Sequence, residues 1–300
     1  MTNFINPASL FLQNHKIQDL NDVIAYSEFL RGEAGVSSNP PIDINKIMQH
    51  FGLPFPQSIP LPQQDGLFVQ RNGVPQIIIN SESNESRQKF SIAHELMEIL
   101  FNEIQDVTLL NGETRSIFSK DGKERICQKG AAFLLMPEDS YRKMAYKIGL
   151  SSHSAEILAT VFDVSLMAAL CRLVDVFNGR GVLILWCMRN KPCELKKQIS
   201  SKQLVFEGLE STYLPRAMLR VVWQYGNFNG IFIPKHKSAI EDSSIYLAWN
   251  EDRYILKNES IPFGKYNIEA CVESKPITIQ NERHVLTLIR EKEDFNVGSI

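Results

Sequence analysis

The sequence predicts an α+β protein in two parts: a mostly helical first part with a small β-hairpin, and a mixed α/β second part. Apolar residues recur at helical spacing through most of the first part. Short β-type runs with turns between them fill the second part. The pattern changes at "NGRG", so we place a boundary near residues 177–181 and predict domains over residues 1–178 and 179–300.

The composition is that of a globular protein, because 44% of the 300 residues are hydrophobic and 22% are charged. Five cysteines without a CxxC pair argue against a disulfide framework and against a cysteine-rich zinc knuckle. No basic leader opens the chain, and no stretch approaches the roughly 20 apolar residues that span a bilayer. We therefore expect a cytoplasmic protein that does not enter a membrane.

Two short helices and a hairpin are predicted first. The segment "QDLNDVIAYSEFLRGEAG" has helical spacing and stops at "SSNPP", and "IDINKIMQHFGL" is a second helix closed by Gly52. The β-rich runs "GLFVQ" and "QIIIN" flank Asn72-Gly73, a dipeptide that favours a tight turn because it tolerates positive φ. These runs predict the hairpin.

Four further helices are predicted before the boundary. The first covers roughly residues 85–103, with Ser83 or Asn84 as its N-cap. The segment "KERICQKGAAFLLMP" predicts the next helix, which Pro137 ends. The last two are "SAEILATVF" and "SLMAALCRLVDVF", and Ser165 is the N-cap of the second.

Seven β-type runs predict the mixed second part. They are "VLILWCM", "LVFEG", "GIFIP", "SIYLAW", "RYILK", "YNIEACVE" and "HVLTLI".

The helix over residues 85–103 contains "HELME", in which His94 and Glu98 are four residues apart. Positions i and i+4 share a helix face, so both side chains can reach one ion while Glu95 stands beside it. Imidazole and carboxylate both bind zinc-type ions, and a carboxylate favours manganese or iron more than a histidine does. Taken alone, this pentapeptide is more often part of an ordinary acidic helix than a metal site.

Two longer segments resemble the signatures of the bacterial ImmA/IrrE-type metallopeptidases. The segment "RQKFSIAHELMEILF" resembles the family's A-H-E-L-x-H signature, and "ERICQKGAAFLLMP" resembles its second signature. When "ERICQKGAAFLLMP" is aligned with the second signature on Ala131 and on the shared "LLMP", Glu124 falls on the family's third metal ligand. The resemblance covers about residues 20–176, and the order and separation of the two signatures make it more specific than either one alone.

The resemblance implies a peptidase domain that holds one divalent ion. Zinc is the first candidate, and manganese and iron are the alternatives. The implied metal ligands are His94, Glu98 and Glu124, and Glu95 is the implied general base. His153 is a candidate oxyanion donor by its chemistry only. An extended substrate is expected to add a strand to the hairpin edge, near Phe68–Gln70 or Gln76–Asn80.

Four residues differ from the family pattern. Glu98 stands where the pattern has its second histidine, Cys127 where it has alanine, Gln128 where it has asparagine or aspartate, and Gly130 where it has phenylalanine. Glu98 still offers a donor, so one histidine and two carboxylates remain a metal-binding set. Cys127, one turn from Glu124, is a candidate fourth ligand or redox latch, although a buried structural cysteine is the more common case.

Two functional classes stay open at this point. The first is an endopeptidase that cleaves a particular partner protein, a DNA-binding repressor, in a bacterial stress or anti-phage response. The second is a peptidase-like binding or sensor module that has lost turnover. Retention of Glu95 favours the first class, and Glu98 in place of a histidine favours the second.

A helix-turn-helix DNA-binding regulator is a third reading, based on "AEILATVFDVSLMAALCRLV". The second helix of this segment carries a single basic residue, Arg172, whereas DNA readers line that helix with cations. Packing within a peptidase-like fold explains the segment better.

Some members of the ImmA/IrrE group carry a GAF-like sensor domain after the peptidase, and residues 179–300 suit that arrangement in length and pattern. Such a domain is expected to take single-stranded DNA or another ligand. A basic run followed by aromatic residues is the candidate for nucleic-acid binding, although such a run is more often a solvated face with a core strand behind it. Its candidate residues are Lys196, Lys197, Lys202, Arg216 and Arg220.

Overall fold

The computed structural model describes residues 4–62, 64–71, 74–104, 120–193, 216–230, 233–263, 266–279 and 281–292. The chain forms two compact units. The first unit comprises Met1–Gly149 and His153–Arg172, and the second comprises Leu150–Ser152 and Leu173–Ile300. The predicted α+β class is confirmed. The predicted domains over residues 1–178 and 179–300 stay a prediction, because compactness does not show that either part folds alone.

Most of the described chain between Pro7 and Val176 is helical. The helices are α1 (Pro7–Leu12), α2 (Leu20–Glu33), α3 (Ile44–His50), α4 (Glu85–Glu103), α5 (Lys120–Leu135), α6 (Glu138–Ile148), α7 (Ser152–Phe162) and α8 (Leu166–Val176). Local side chains set several of the starts. Asp19 and Asp22 form a capping box at the start of α2, and the Ser165 hydroxyl accepts a hydrogen bond from the Ala168 N–H at the start of α8.

A three-stranded sheet lies between α3 and α4 in the sequence. Its strands are β1 (Gln57–Ile59), β2 (Gly66–Arg71) and β3 (Val74–Asn80), in the order β1-β3-β2. The β2–β3 pair is the predicted antiparallel hairpin, and β1 adds to β3 in parallel. Strand β1 pairs with Ile78–Asn80 and β2 pairs with Val74–Ile79, so the prediction that a substrate adds along Gln76–Asn80 is wrong for Ile78–Asn80. Phe68–Gln70 lies on β2, which is an edge strand in this sheet.

The core of the first unit gathers around α2 and α4. Tyr26 and Leu30 of α2 are fully buried, as are Leu96 and Leu100 of α4. Each such apolar side chain contributes roughly 1.5–3 kcal/mol relative to an exposed position. This packing fixes the helices on which the candidate site is built.

The described part of the second unit contains a five-stranded antiparallel sheet and a helix beside it. The strands are β4 (Arg180–Arg189), β5 (Met218–Phe228), β6 (Ile255–Phe263), β7 (Tyr266–Ile279) and β8 (Glu282–Arg290), in the order β5-β4-β8-β7-β6. The helix is α9 (Ser244–Glu251).

Two expectations for the second part need correction. The run "SIYLAW" is not a strand but the start of α9, whose Ile245 and Ala248 are buried at helical spacing. A short continuous apolar run does not distinguish a strand from a buried helix. Strand β5 is absent from the predicted runs, because its arginine, glutamine and glycine interrupt the apolar pattern. The run "LVFEG" lies outside the described residues.

Within the described ranges, no single helix is long and apolar enough to cross a membrane. The pair α7 and α8 together meets that test by length and composition, but the two helices are bent by 114° at their junction.

Candidate metal centre

The candidate centre is built on α4 and α5, which pack against each other. The Asn84 carboxamide oxygen accepts a hydrogen bond from the Arg87 N–H at 2.9 Å and so fixes the start of α4. Gly130 allows α5 to approach closely, because a Cβ at this position would lie 2.6 Å from the Met97 sulfur. The phenylalanine of the family pattern therefore has no space at this position.

His94 brings the predicted ligands together. Its Nε2 atom lies 3.9 Å from Oε1 of Glu98, one turn along α4, and 3.6 Å from Oε2 of Glu124 on α5. The ligating atoms of His94, Glu98 and Cys127 all lie within 4.8 Å of one another. The structure thus groups one nitrogen, one sulfur and one carboxylate, with the Glu124 carboxylate next to the His94 nitrogen, and such a mixed set suits a zinc-type ion.

Burial lowers the pKa of His94, and Lys123 acts in the same direction, whereas the Glu124 and Glu98 charges oppose them. The imidazole is therefore held in its neutral form near neutral pH. A neutral imidazole has a lone pair for an ion, so the short distances to the carboxylates describe neighbouring ligand atoms and not an ion pair.

Glu95 is buried, with 6% of its surface exposed, although it lies between two metal-ligand candidates in the sequence. Its carboxylate lies beside Gly66, where a Cβ would be 2.8 Å from Oε1. Burial, followed by the charges of Glu98 and Glu124, raises the pKa of Glu95 to about 8, while Lys123 opposes the shift. Without an ion this carboxyl group therefore keeps its proton near neutral pH, and a bound cation would favour the carboxylate form that a general base requires.

Lys123 is a charged residue at this cluster that sequence reasoning missed. Its ammonium nitrogen lies 3.0 Å from Oε2 of Glu98. The sequence places Lys123 directly before Glu124, but only the packing of α5 on α4 shows that it reaches Glu98. It is a positive charge next to the position where an ion would bind.

Gln128 and Cys127, two of the residues that differ from the family pattern, both contact this centre. The Gln128 side-chain amide donates a hydrogen bond to Oε1 of Glu124 at 2.9 Å, which orients an otherwise exposed carboxylate. Cys127 is fully buried, and burial raises the pKa of its thiol, as does the Glu98 charge. The thiol must lose its proton before the sulfur can serve as a strong ligand.

His153, the candidate oxyanion donor, is not part of this cluster of ligand atoms. Its side chain is 81% exposed at the start of α7, and its Nδ1 lies 3.8 Å from Oε2 of Glu156. The role of His153 stays a prediction.

The helix-turn-helix interpretation depends on Arg172, the single basic residue of α8. Arg172 on α8 is buried, its guanidinium carbon lies 3.8 Å from the centre of the Phe133 ring, and it forms an ion pair with Glu138. A buried and paired arginine cannot contact a DNA backbone. The interpretation of α8 as a DNA-reading helix is therefore not supported.

The predicted nucleic-acid residues divide into three cases. Lys196, Lys197 and Lys202 lie outside the described residues. Arg216 is exposed and forms an ion pair with Glu241 at 2.8 Å. Arg220 is buried, and its guanidinium donates to the Arg189 carbonyl at 3.0 Å and to the Ser238 hydroxyl at 2.6 Å. The surface role predicted for Arg220 is wrong, because this side chain joins β5 to its neighbours.

The second unit contains a cavity of about 230 Å³ that the sequence did not reveal. Isoleucine side chains from β4, β6, β8, α9 and the segment before α9 form much of its wall, and Lys237, Asp242, Lys257 and Glu259 also line it. Trp186 also lines the cavity, and its buried indole N–H has no hydrogen-bond partner within the described residues. These residues are distant in sequence, so no local pattern could have indicated the cavity.

The part of the chain that contains the candidate centre resembles a known protein family. Residues 57–174 match the family model Peptidase_M78, which is described as the IrrE N-terminal-like domain. This segment is similar to the IrrE N-terminal-like domain. It lies inside the stretch over which the sequence predicted the resemblance, and it contains α4, α5 and the small sheet. The GAF-like identity of residues 179–300 stays a prediction.

Two relatives of this chain are named "Radiation response metalloprotease IrrE". The protein from Deinococcus deserti is 31% identical over 118 residues, which are 39% of this chain and 41% of that relative. The protein from Deinococcus radiodurans is 30% identical over 138 residues, which are 45% of this chain and 40% of that relative. The chain therefore aligns with about two fifths of the length of each relative.

A solved structure resembles most of the chain. It is a Mycobacterium tuberculosis transcriptional regulator, with a TM-score of 0.55 and 11% sequence identity, covering 95% of this chain and 80% of that one. At this identity the likeness concerns the fold alone.

Proposed function

We propose that this protein is a metal-dependent endopeptidase that acts on one particular partner protein. The observation that carries the proposal is the position of Glu95, buried beside a cluster of ligand atoms from His94, Glu98 and Glu124. The IrrE N-terminal-like domain and the two relatives named as metalloproteases support it.

The residues of the cluster fit one divalent ion. Imidazole, two carboxylates and the Cys127 sulfur are donors that zinc accepts, and manganese or iron are the alternatives, because carboxylates favour harder ions. When bound, such an ion supplies Lewis acidity for an attacking water and for the scissile carbonyl group. His94, Glu98 and Glu124 would hold it, with Gln128 orienting Glu124.

Glu95 would carry the protons of the reaction. Its carboxylate accepts a proton from the attacking water and returns it to the leaving amine. Glu95 lies next to Gly66, the first residue of β2, so a peptide added to this edge strand would run past the general base. A side chain at Gly66 would press on the Glu95 carboxylate.

The proposed substrate is a DNA-binding repressor that is cleaved in a bacterial stress or anti-phage response in the cytoplasm. The names of the two Deinococcus relatives, which refer to a radiation response, support the stress response in this proposal. Cleavage of a candidate repressor by the parent chain is the expected result. Cleavage of unfolded proteins at the same rate would argue against a particular partner.

The competing proposal is a binding module without turnover, and Lys123 favours it. The ammonium group already neutralises Glu98 at 3.0 Å, so the acidic cluster does not need an ion for charge balance. Elemental analysis of protein purified without a chelator distinguishes the two proposals. One ion per chain in the parent, lost in His94→Ala and Glu124→Ala, supports the peptidase. An equal metal content in all three proteins would show that these residues do not form the site.

We also propose that the second part of the chain is a sensor that controls the first. The cavity beside Trp186 supports a small ligand with apolar and polar parts over single-stranded DNA, because isoleucines and charged side chains line it and the indole N–H can donate to a ligand acceptor. Limited proteolysis should give a stable fragment near residues 1–178. Activity that is unchanged when the remainder is deleted would contradict a controlling role.

A further inference from the structure

A second cluster of ligand atoms lies in the sheet of the second unit. Cys187 on β4 and His284 on β8 are register partners, so their side chains leave the sheet on the same face. Glu282 precedes His284 by two residues on β8 and shares that face. Their ligating atoms all lie within 4.8 Å of one another, and His284 Nε2 lies 3.5 Å from Oε2 of Glu282. We propose that Cys187, Glu282 and His284 form a zinc-type metal site.

The ring of His284 is oriented as in metal-binding histidines. Its Nδ1 atom lies 2.9 Å from the backbone carbonyl of Glu282. A carbonyl only accepts hydrogen bonds, so Nδ1 carries the proton, and the Nε2 of the neutral ring keeps its lone pair on the side of the other two donors. This contact to a carbonyl fixes both the tautomer and the angle of the ring.

Two of the three side chains are buried and the third is exposed, an arrangement that suits an ion. Cys187 and His284 are only 2% and 5% exposed, so their sulfur and nitrogen are shielded from water. The Glu282 side chain is 51% exposed and leaves one side open for entry and for a fourth ligand. One sulfur, one nitrogen and one oxygen donor form a borderline set that zinc accepts.

Arg189 is the group that opposes an ion at this site. Its guanidinium lies 2.9 Å from Oε2 of Glu282. A carboxylate offers two oxygens with about four lone-pair positions, so Glu282 can accept from Arg189 and still bind an ion. The arginine would then orient the ligand, as outer partners of metal ligands do.

Binding at this site releases one proton. The Cys187 thiol loses it to solvent as the sulfur–metal bond forms, because the thiolate is the ligand. Burial raises the pKa of this thiol in the metal-free protein, as does its hydrogen bond with Glu282, so the proton is present beforehand.

Cobalt(II) is the probe that tests the site, since a thiolate bound to cobalt gives a charge-transfer absorption. The full chain carries Cys127→Ser, which removes the thiol of the first cluster from the spectrum. We expect the absorption to grow to one equivalent of cobalt. It should disappear when Cys187→Ser is added and persist when Cys271→Ser is added, because Cys271 is a buried cysteine of the same sheet outside the cluster.

Glu282→Gln provides a second measurement if Cys187→Ser prevents folding. The side chain is exposed, so the amide keeps its size without a burial cost, and we expect the cobalt Kd to rise roughly tenfold or more. No absorption in the Cys127→Ser chain, or an absorption that survives Cys187→Ser, would overturn the proposal. An unchanged Kd in Glu282→Gln would overturn the three-residue site.

Discussion

The two clusters of ligand atoms contain the same residue types on different scaffolds. In the first unit, His94 and Glu98 are four residues apart on one helix, and Cys127 comes from its neighbour. In the second unit, Glu282 and His284 are two residues apart on one strand, and Cys187 comes from the paired strand. Each spacing matches the period of its scaffold, which is 3.6 residues for a helix and two for a strand.

A basic residue stands next to the glutamate in each cluster. Lys123 lies 3.0 Å from Glu98, and Arg189 lies 2.9 Å from Glu282. The difference between the clusters is a buried carboxyl group, because only the first unit has Glu95 beside the ligand atoms. Both clusters therefore offer donors for an ion, whereas within the described residues only the first has a buried carboxyl group next to its ligand atoms.

The variant Glu95→Gln tests that difference and should have the largest effect. The amide keeps the size of the side chain but cannot accept a proton, so cleavage should fall by roughly 10²-fold or more. The metal content should stay at the parent level, because Glu95 is not a proposed ligand. Rates are measured on the candidate repressor, with Glu85→Gln, an exposed position in the first turn of α4, as the control.

An equal rate in Glu95→Gln and the parent would remove Glu95 from the mechanism. If neither protein cleaves while both bind the metal and the partner, the binding module replaces the peptidase as the conclusion.

The helical cluster can be predicted from sequence, and the strand cluster cannot. A motif within five residues, together with a second motif downstream, indicates His94, Glu98 and Glu124. Cys187 and His284 are almost a hundred residues apart, and which strands pair depends on contacts along the whole sheet. The same limit explains why no local pattern reveals the cavity beside Trp186, and why the sequence does not show that β3 is a central strand.

Gly130→Ala tests the close approach of α5 to α4, on which the first cluster depends. A Cβ would lie 2.6 Å from the Met97 sulfur and 3.0 Å from Val23, so buried side chains must shift. Overpacking of this kind costs about 1–3 kcal/mol of unfolding free energy, and the metal affinity should fall with it. Denaturant unfolding and cobalt titration measure the two effects.

The matched control is Gly32→Ala in α2, where a Cβ meets nothing within 4 Å. That variant should be neutral, or more stable by up to about 1 kcal/mol, because alanine is the better helix former. If both variants lost stability equally, steric contact at Gly130 would not be the cause.

Lys123→Met should have the smallest effect, and its direction is informative. The lysine ammonium competes with a divalent ion for Glu98, and methionine keeps a similar length without the charge. Ion pairs near the surface are worth about 0.2–1 kcal/mol, so the metal affinity of the first cluster should rise by up to about fivefold. Lys143→Met on α6 is the control for loss of a lysine elsewhere.

Arg189→Met is the equivalent change in the second cluster. Tighter metal binding in Lys123→Met and in Arg189→Met would show that each basic residue competes with the ion. Weaker binding in Lys123→Met alone would show instead that the ammonium holds Glu98 in position, and the two clusters would then use their cations differently.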